Sequence, residues 1–180
     1  MSDPKAFYDK HKTLVYNLAL NYCGNKEDAE EITQDVFITV FKKMSSFRYE
    51  SKIETWLYRV TINKSLDYLK AKKRFKRNFM NDGVSIDQVS QSEFSDFNHP
   101  GVVLESKEKI QDIYRCIHSL SEDYKTVIIL LKIENKTYIE ISKIMKISVK
   151  AVESLFIRAK KKLDVLLKKI EGIKFNNRLK

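Results

Sequence analysis

Very little in this chain interrupts a helix: four glycines and two prolines stand among 180 residues. Apolar residues recur at three- and four-residue spacing through most of it, which argues against a β-rich fold and for an all-α one. Cysteine is equally sparse. Cys23 and Cys116 lie far apart without CxxC spacing, and His11, His99 and His118 are scattered singly. No metal-ligand set is spelled out, and both cysteines read as reduced packing residues rather than a disulfide. The chain also lacks a Ser/His/Asp arrangement and a phosphate-cradling glycine loop, so no enzymatic activity, small-molecule substrate or cofactor is expected. No run approaches the roughly 20 apolar residues of a membrane span. The opening MSDPKAFYDKHK has no apolar signal-peptide core, and the expected location is the cytoplasm.

What is present is a strong positive balance. A net charge of +10 with 43% hydrophobic residues suits two small helical cores and a polyanionic partner, nucleic acid or an acidic membrane surface. The cations are not evenly spread. Residues 79–101 contain no lysine or arginine, and Asp82, Asp87, Glu93 and Asp96 make that stretch acidic amid Ser, Asn, Gln and Gly. It reads as a flexible acidic linker, either a solvated spacer or a nucleic-acid mimic for a cationic channel on a partner. The resulting organisation is an N-terminal domain over 1–78, a linker over 79–104, a C-terminal domain over 105–172 and a basic tail over 173–180. From 158 to 180, nine cations face only Asp164 and Glu171, which also keeps a membrane-surface role open.

Periodicity predicts helices over 4–22, 26–44 and 54–72 before the linker, and over 105–119 and 122–133 after it. Ser121 is placed to cap the last of these. The segment YIEISKIMKISVKAVESLFIRAKKKL, residues 138–163, then sets two amphipathic helices around a very short break. Thr137 and Glu140 have the form of a capping box, and Ser148 can cap the second helix. Val149, Val152, Phe156, Ala159 and Leu163 mark its packing face, leaving Lys150, Glu153, Ser154 and Arg158 outward. This is the pattern of a DNA-reading helix-turn-helix, although an ordinary helical hairpin has the same periodicity. Lys146 stands where such turns often carry glycine, and a left-handed non-glycine residue costs about 1 kcal/mol.

Two further constellations carry function. The second helix opens with Glu27, Asp28, Glu30 and Glu31 and continues with Gln34 and Asp35, acidic in an otherwise basic chain. Glu31, Gln34 and Asp35 share one surface, suited to a basic protein partner or simply to solvation. The third helix brings Trp56, Tyr58 and Tyr68 before KAKKRFKR, where six of the nine residues 70–78 are basic. Cations neutralise phosphates and aromatics stack on unpaired bases, which makes this a candidate single-strand or melted-duplex site. The step of Trp56 with Leu57 and Val60 also fits a core position.

The segments AEEITQDVFITVFKKMSSF and ETWLYRVTINKSLDYL, residues 29–47 and 54–69, resemble region 2 of bacterial sigma factors of the extracytoplasmic-function (ECF) group of the sigma-70 family. From LSEDYKTVIILLKIENKTYIEIS onward, residues 120–163 resemble region 4. The resemblance implies a region 2 helical bundle and a region 4 helix-turn-helix, binding core RNA polymerase and promoter DNA. Glu31, Gln34 and Asp35 match positions that bind the polymerase β′ coiled coil, and region 4 would also rest on the β flap. Phe47, Arg48, Tyr49 and Ile53 fall in the loop that captures a flipped base of the minus-10 element. Trp56, Tyr58, Arg59 and Asn63 would help open that DNA, and Lys70, Lys72, Lys73 and Arg74 would grip its phosphates. Ser148, Lys150, Glu153, Ser154 and Arg158 would meet the minus-35 element. An anti-sigma factor is a further partner that the resemblance implies.

Two departures stand out. Ile53 replaces a frequent aromatic, and VKAVESLFIRA stands where many relatives resemble VGTVKSRLSRA. Fewer cations weaken phosphate attraction, while Glu153 can accept from cytosine N4. The alternatives are an autonomous helix-turn-helix regulator or a protein that only sequesters polymerase.

Overall fold

The computed structural model describes residues 3–44, 52–80 and 107–178, without the side chains at 76, 78–80, 107–108 and 171–178. Among the described residues every regular element is helical. The chain divides into two compact units, Met1–Phe97 and Asn98–Lys180.

In the N-terminal unit, helix α1 spans Pro4–Cys23. The Asp3 carboxylate accepts the Lys5 N–H at 3.0 Å, and Pro4 occupies a first-turn position where no N–H is needed. The helix stops at Gly24, whose φ of 80° lets its N–H close on the Leu20 carbonyl. A side chain there would meet the left-handed penalty of about 1 kcal/mol. Helix α2, Lys26–Lys43, begins at once, because Asn25 accepts the Asp28 N–H at 2.9 Å. Glu27 and Asp28 in its first turn and Lys42 and Lys43 in its last oppose the helix dipole favourably.

Helix α3, Ile53–Met80, extends well past the 54–72 predicted from periodicity. The basic run that follows Leu69 contains neither glycine nor proline, and Lys, Arg and Ala sustain a helix. Charge composition changes there, but nothing stops the backbone. The three helices pack on one another around Val15, Leu18 and Tyr22 of α1, Ile32, Val36 and Val40 of α2 and Leu57 of α3. Phe41 is partly exposed, its ring 5.9 Å from Phe37.

The C-terminal unit holds α4, Lys107–Ser119, then α5, Glu122–Ile128, then a single π turn, Ile129–Ile133. Periodicity had predicted one uniform helix over 122–133. The Glu134 N–H reaches the Ile129 carbonyl at 2.9 Å, and Asn135, at φ 51°, ends the segment. Residues 127–130 are all buried, more than one face of a regular helix presents. Ser121 sits at the N-cap of α5 without a side-chain cap bond; only its carbonyl serves, accepting the Lys125 N–H at 2.8 Å.

Helices α6, Tyr138–Met145, and α7, Val149–Arg178, form the helix-turn-helix. The Thr137 and Glu140 capping box is complete: the Glu140 N–H donates to Thr137 Oγ1 at 3.2 Å and the Thr137 N–H to Glu140 Oε2 at 2.8 Å. Lys146 takes φ 57° and ψ 41° at the turn, and the Ala151 N–H donates to Ser148 Oγ at 3.2 Å. Ile141, Ile144, Val152 and Ala159 are buried between the helices, whereas Val149 is half-exposed at the helix start.

Candidate functional site

Helix α2 presents two acidic rows. The row of Asp28, Glu31 and Asp35 runs antiparallel to Lys72, Tyr68 and Lys64 on α3, spaced four residues apart. Lys72 donates to Asp28 Oδ2. The Tyr68 hydroxyl lies 2.8 Å from Asp28 Oδ1 and 3.0 Å from Glu31 Oε2. Lys64 Nζ stands 3.6 Å from Asp35. Asp28 also accepts from Asn25 Nδ2 at 2.8 Å, so helix start and cross-helix contact share one carboxylate. Burial opposes its charge, but the donors of Lys72, Asn25 and Tyr68 outweigh burial and hold its carboxyl below the usual range. Burial, and then the two carboxylates, push the Tyr68 hydroxyl above its ordinary range.

Glu31, Gln34 and Asp35 are therefore all exposed on α2, but Glu31 and Asp35 already have partners within the chain. The composition of the third helix had put Tyr68 among stacking aromatics, and the family resemblance had put Lys72 among phosphate contacts. The structure gives both a place in the ladder, which their i, i+4 spacing opposite 28, 31 and 35 could have signalled.

The base-handling residues separate on α3. Tyr58 is 4% exposed, which corrects its reading as a DNA-facing aromatic: its ring belongs to the core beside Leu57. Ile53, Trp56 and Arg59 are half-buried, and Asn63 is exposed. Phe47, Arg48 and Tyr49 lie outside the described residues. Lys70, Lys73 and Arg74 are exposed and line an open depression with Asp67 and Arg77, a cationic surface of the kind that tracks a phosphate backbone.

On α7, Ser148, Lys150, Glu153, Ser154 and Arg158 are all exposed. Arg158 Nε donates to the Ser154 carbonyl at 3.2 Å, which holds its guanidinium along the outer face. Ile157, 67% exposed, stands on the same side; its mismatch with the apolar stripe was the available signal. Apolar groups on such a face can contact thymine methyls.

Neither cysteine is a reactive thiol candidate. Cys23 and Cys116 are free and buried, and burial pushes the Cys23 thiol up to about 11. Among the described residues no His, Cys, Asp and Glu group could hold a metal, and no helix is long and apolar enough to cross a membrane.

Comparison with known proteins identifies the family and the fold. The family Sigma-70 region 2 matches residues 7–75, and Sigma-70, region 4 matches residues 110–163. The ECF RNA polymerase sigma-E factor of Haemophilus influenzae is 31% identical over 168 residues, 90% of this chain and 87% of that protein. Its counterpart from Escherichia coli strain K12 is 31% identical over 166 residues, covering 90% and 86%. Among solved structures, the sigma factor RpoE of Bartonella quintana, in complex with the anti-sigma factor NepR, matches with a TM-score of 0.67 at 24% identity, over 93% of this chain and 98% of that one. CnrH in complex with the cytosolic domain of CnrY matches with a TM-score of 0.62 at 21% identity, over 92% and 88%. These two likenesses establish the fold, and the longer sequence matches carry the family. The chain belongs to the ECF sigma factors of the sigma-70 family.

Proposed function

We propose that the two units divide the work of a sigma factor that binds core RNA polymerase and directs promoter-specific initiation. The N-terminal domain, 1–78, docks on the polymerase β′ coiled coil through Glu31, Gln34 and Asp35. Its third helix handles the minus-10 element: Ile53, Trp56, Arg59 and Asn63 stand near the opened bases, with Phe47, Arg48 and Tyr49 in the preceding loop. Lys70, Lys73 and Arg74 follow the backbone phosphates. The C-terminal domain, 105–172, reads the minus-35 element through Ser148, Lys150, Glu153, Ser154 and Arg158 and rests on the β flap. The segment 79–104 joins them, and 173–180 is a basic tail.

The observation that carries this reading is the separation of charge: an acidic row on α2 lies beside a cationic surface on the far half of α3. Acid suits a basic protein partner, and cations suit DNA. The protein performs no chemistry. DNA opening draws on binding energy, with flipped bases held to offset an unstacking cost of a few kcal/mol. It works in the cytoplasm, and an anti-sigma factor covering the polymerase-binding surfaces is its regulator; the solved RpoE and CnrH complexes support that partner class.

Core binding by the full-length Asp35→Lys protein tests the acidic surface. A like-charge contact costs several kcal/mol at an interface, so a loss of about 100-fold is expected, while loss of the exposed Lys64 pair lowers folding stability by only about 1 kcal/mol. Wild-type affinity would remove Asp35 from the interface.

A further inference from the structure

Ile157 is an apolar residue of α7 that the fold does not use. Val152 and Ala159 are buried in the C-terminal unit and Phe156 is half-buried. Ile157 stands one residue on, about 100° round the helix, and is 67% exposed. Among the described residues of the C-terminal unit no other large apolar side chain is as exposed; Ile139 follows at 59%. Its neighbours at helical spacing are Lys150, Glu153, Ser154 and Lys161, all exposed. An isoleucine therefore occupies the middle of a polar, outward surface, on a helix whose start is fixed by the Ser148 cap.

When such a surface enters a major groove, Ile157 loses its water, and the base edges there offer one apolar group, the C5-methyl of thymine. Against any other base edge the side chain would cover donors and acceptors without pairing them, which is unfavourable. The isoleucine is β-branched, and in a helix its χ1 is largely confined to one rotamer, so little freedom is lost on contact. Glu153 lies one turn earlier on the same surface, about 6 Å along the axis, a distance of one to two base steps of about 3.4 Å. Its carboxylate can accept from cytosine N4.

We infer that Ile157 is a specificity-determining residue for the upstream promoter element: it reads a thymine by its C5-methyl, within about two base pairs of a cytosine read by Glu153. The inference rests on the reading of α7 as the minus-35 helix given above, and adds an apolar contact to the polar ones assigned there. It also gives the element a partial composition, a thymine and a cytosine held at the spacing of one helical turn.

The test is equilibrium binding of holoenzyme, reconstituted from core polymerase and the full-length protein, to a promoter that it transcribes. Each thymine of the upstream element is replaced in turn by deoxyuridine, which removes the methyl group and keeps the base pair. At one position the replacement should weaken wild-type binding about fourfold, equivalent to about 0.8 kcal/mol for one buried methyl, and should leave Ile157→Ala holoenzyme unaffected. That thymine should lie within about two base pairs of the position at which Glu153→Gln changes the preferred base; a more distant one would overturn the pairing of the two contacts. Uridine sensitivity that is equal in wild type and Ile157→Ala, or absent at every thymine, would overturn the methyl contact and leave α7 as the reader of the element. Unchanged wild-type affinity for a promoter whose whole upstream element is scrambled would overturn both.

Discussion

In the N-terminal unit, functional charges reach across helices, Asp35 toward Lys64, Glu31 to Tyr68 and Asp28 to Tyr68 and Lys72. In the C-terminal unit, the bonds of Ser148 and Arg158 return to their own helix. A cross-helix ladder fixes the spacing of charges on a surface, which suits a preorganised protein partner. Side chains anchored only along one helix can adjust to base edges and phosphates. The difference also locates strain: the N-terminal unit uses Gly24 at its left-handed turn, whereas the C-terminal unit places Lys146 and Asn135 at positive φ.

The inner rung of the ladder offers the strongest way to break this contrast. Asp28→Ala removes a carboxylate that accepts from Asn25, Tyr68 and Lys72, and a loss of about 2–3 kcal/mol is expected for charge-assisted bonds. Urea unfolding of the N-terminal unit checks it. The exposed Asp35 pair, by comparison, contributes about 1 kcal/mol or less. Next, Arg158→Ala should reduce transcription about tenfold on promoters with an upstream element, equivalent to about 1.4 kcal/mol. Core affinity measured on the same preparation should remain unchanged; equal loss of both would merge the roles of the two units.

Backbone strain provides a smaller effect of opposite sign. Lys146→Gly relieves the left-handed penalty of about 1 kcal/mol but adds unfolded-chain freedom that costs about 0.5–1 kcal/mol, so a net gain of about 0.5 kcal/mol or less is expected in the C-terminal unit by thermal unfolding. The same substitution has no counterpart at the Gly24 turn. The smallest effect is pH-dependent. His11 is buried against Phe7, with ring centroids 4.6 Å apart, and burial, then Lys10, lower its pKa while Glu54 opposes them. Unfolded histidine titrates near ~6.5. Below that pH the unfolded chain takes up a proton that folded His11 resists, so its contribution is complete above pH ~6.5 and lost as pH falls toward the folded value. Stability profiles should be shallower in His11→Gln for the N-terminal unit, with the C-terminal unit unaffected.

Much of the local architecture was readable from residue order. The Thr137–Glu140 box and the Ser148 cap are short-range hydrogen bonds written in nearby residues, and the apolar spacing of α7 announced a packing face that holds at Val152 and Ala159. Three features depended on contacts that no local pattern contains. The end of α3 was misjudged because a change of charge is not a helix stop. The π turn at Ile129–Ile133 follows no punctuating residue. Tyr58 and Tyr68 are both aromatic neighbours of a basic run, yet one lies in the core and the other bonds α2; only helix pairing separates them.

The most direct test of the division of labour is in vitro transcription by purified bacterial core polymerase on a promoter library, with and without the full-length protein. Transcripts that start at defined sites only in its presence, and that share two spaced elements, are the expected result. Core binding without any specific transcript from the library would contradict promoter direction and support a sequestering protein instead.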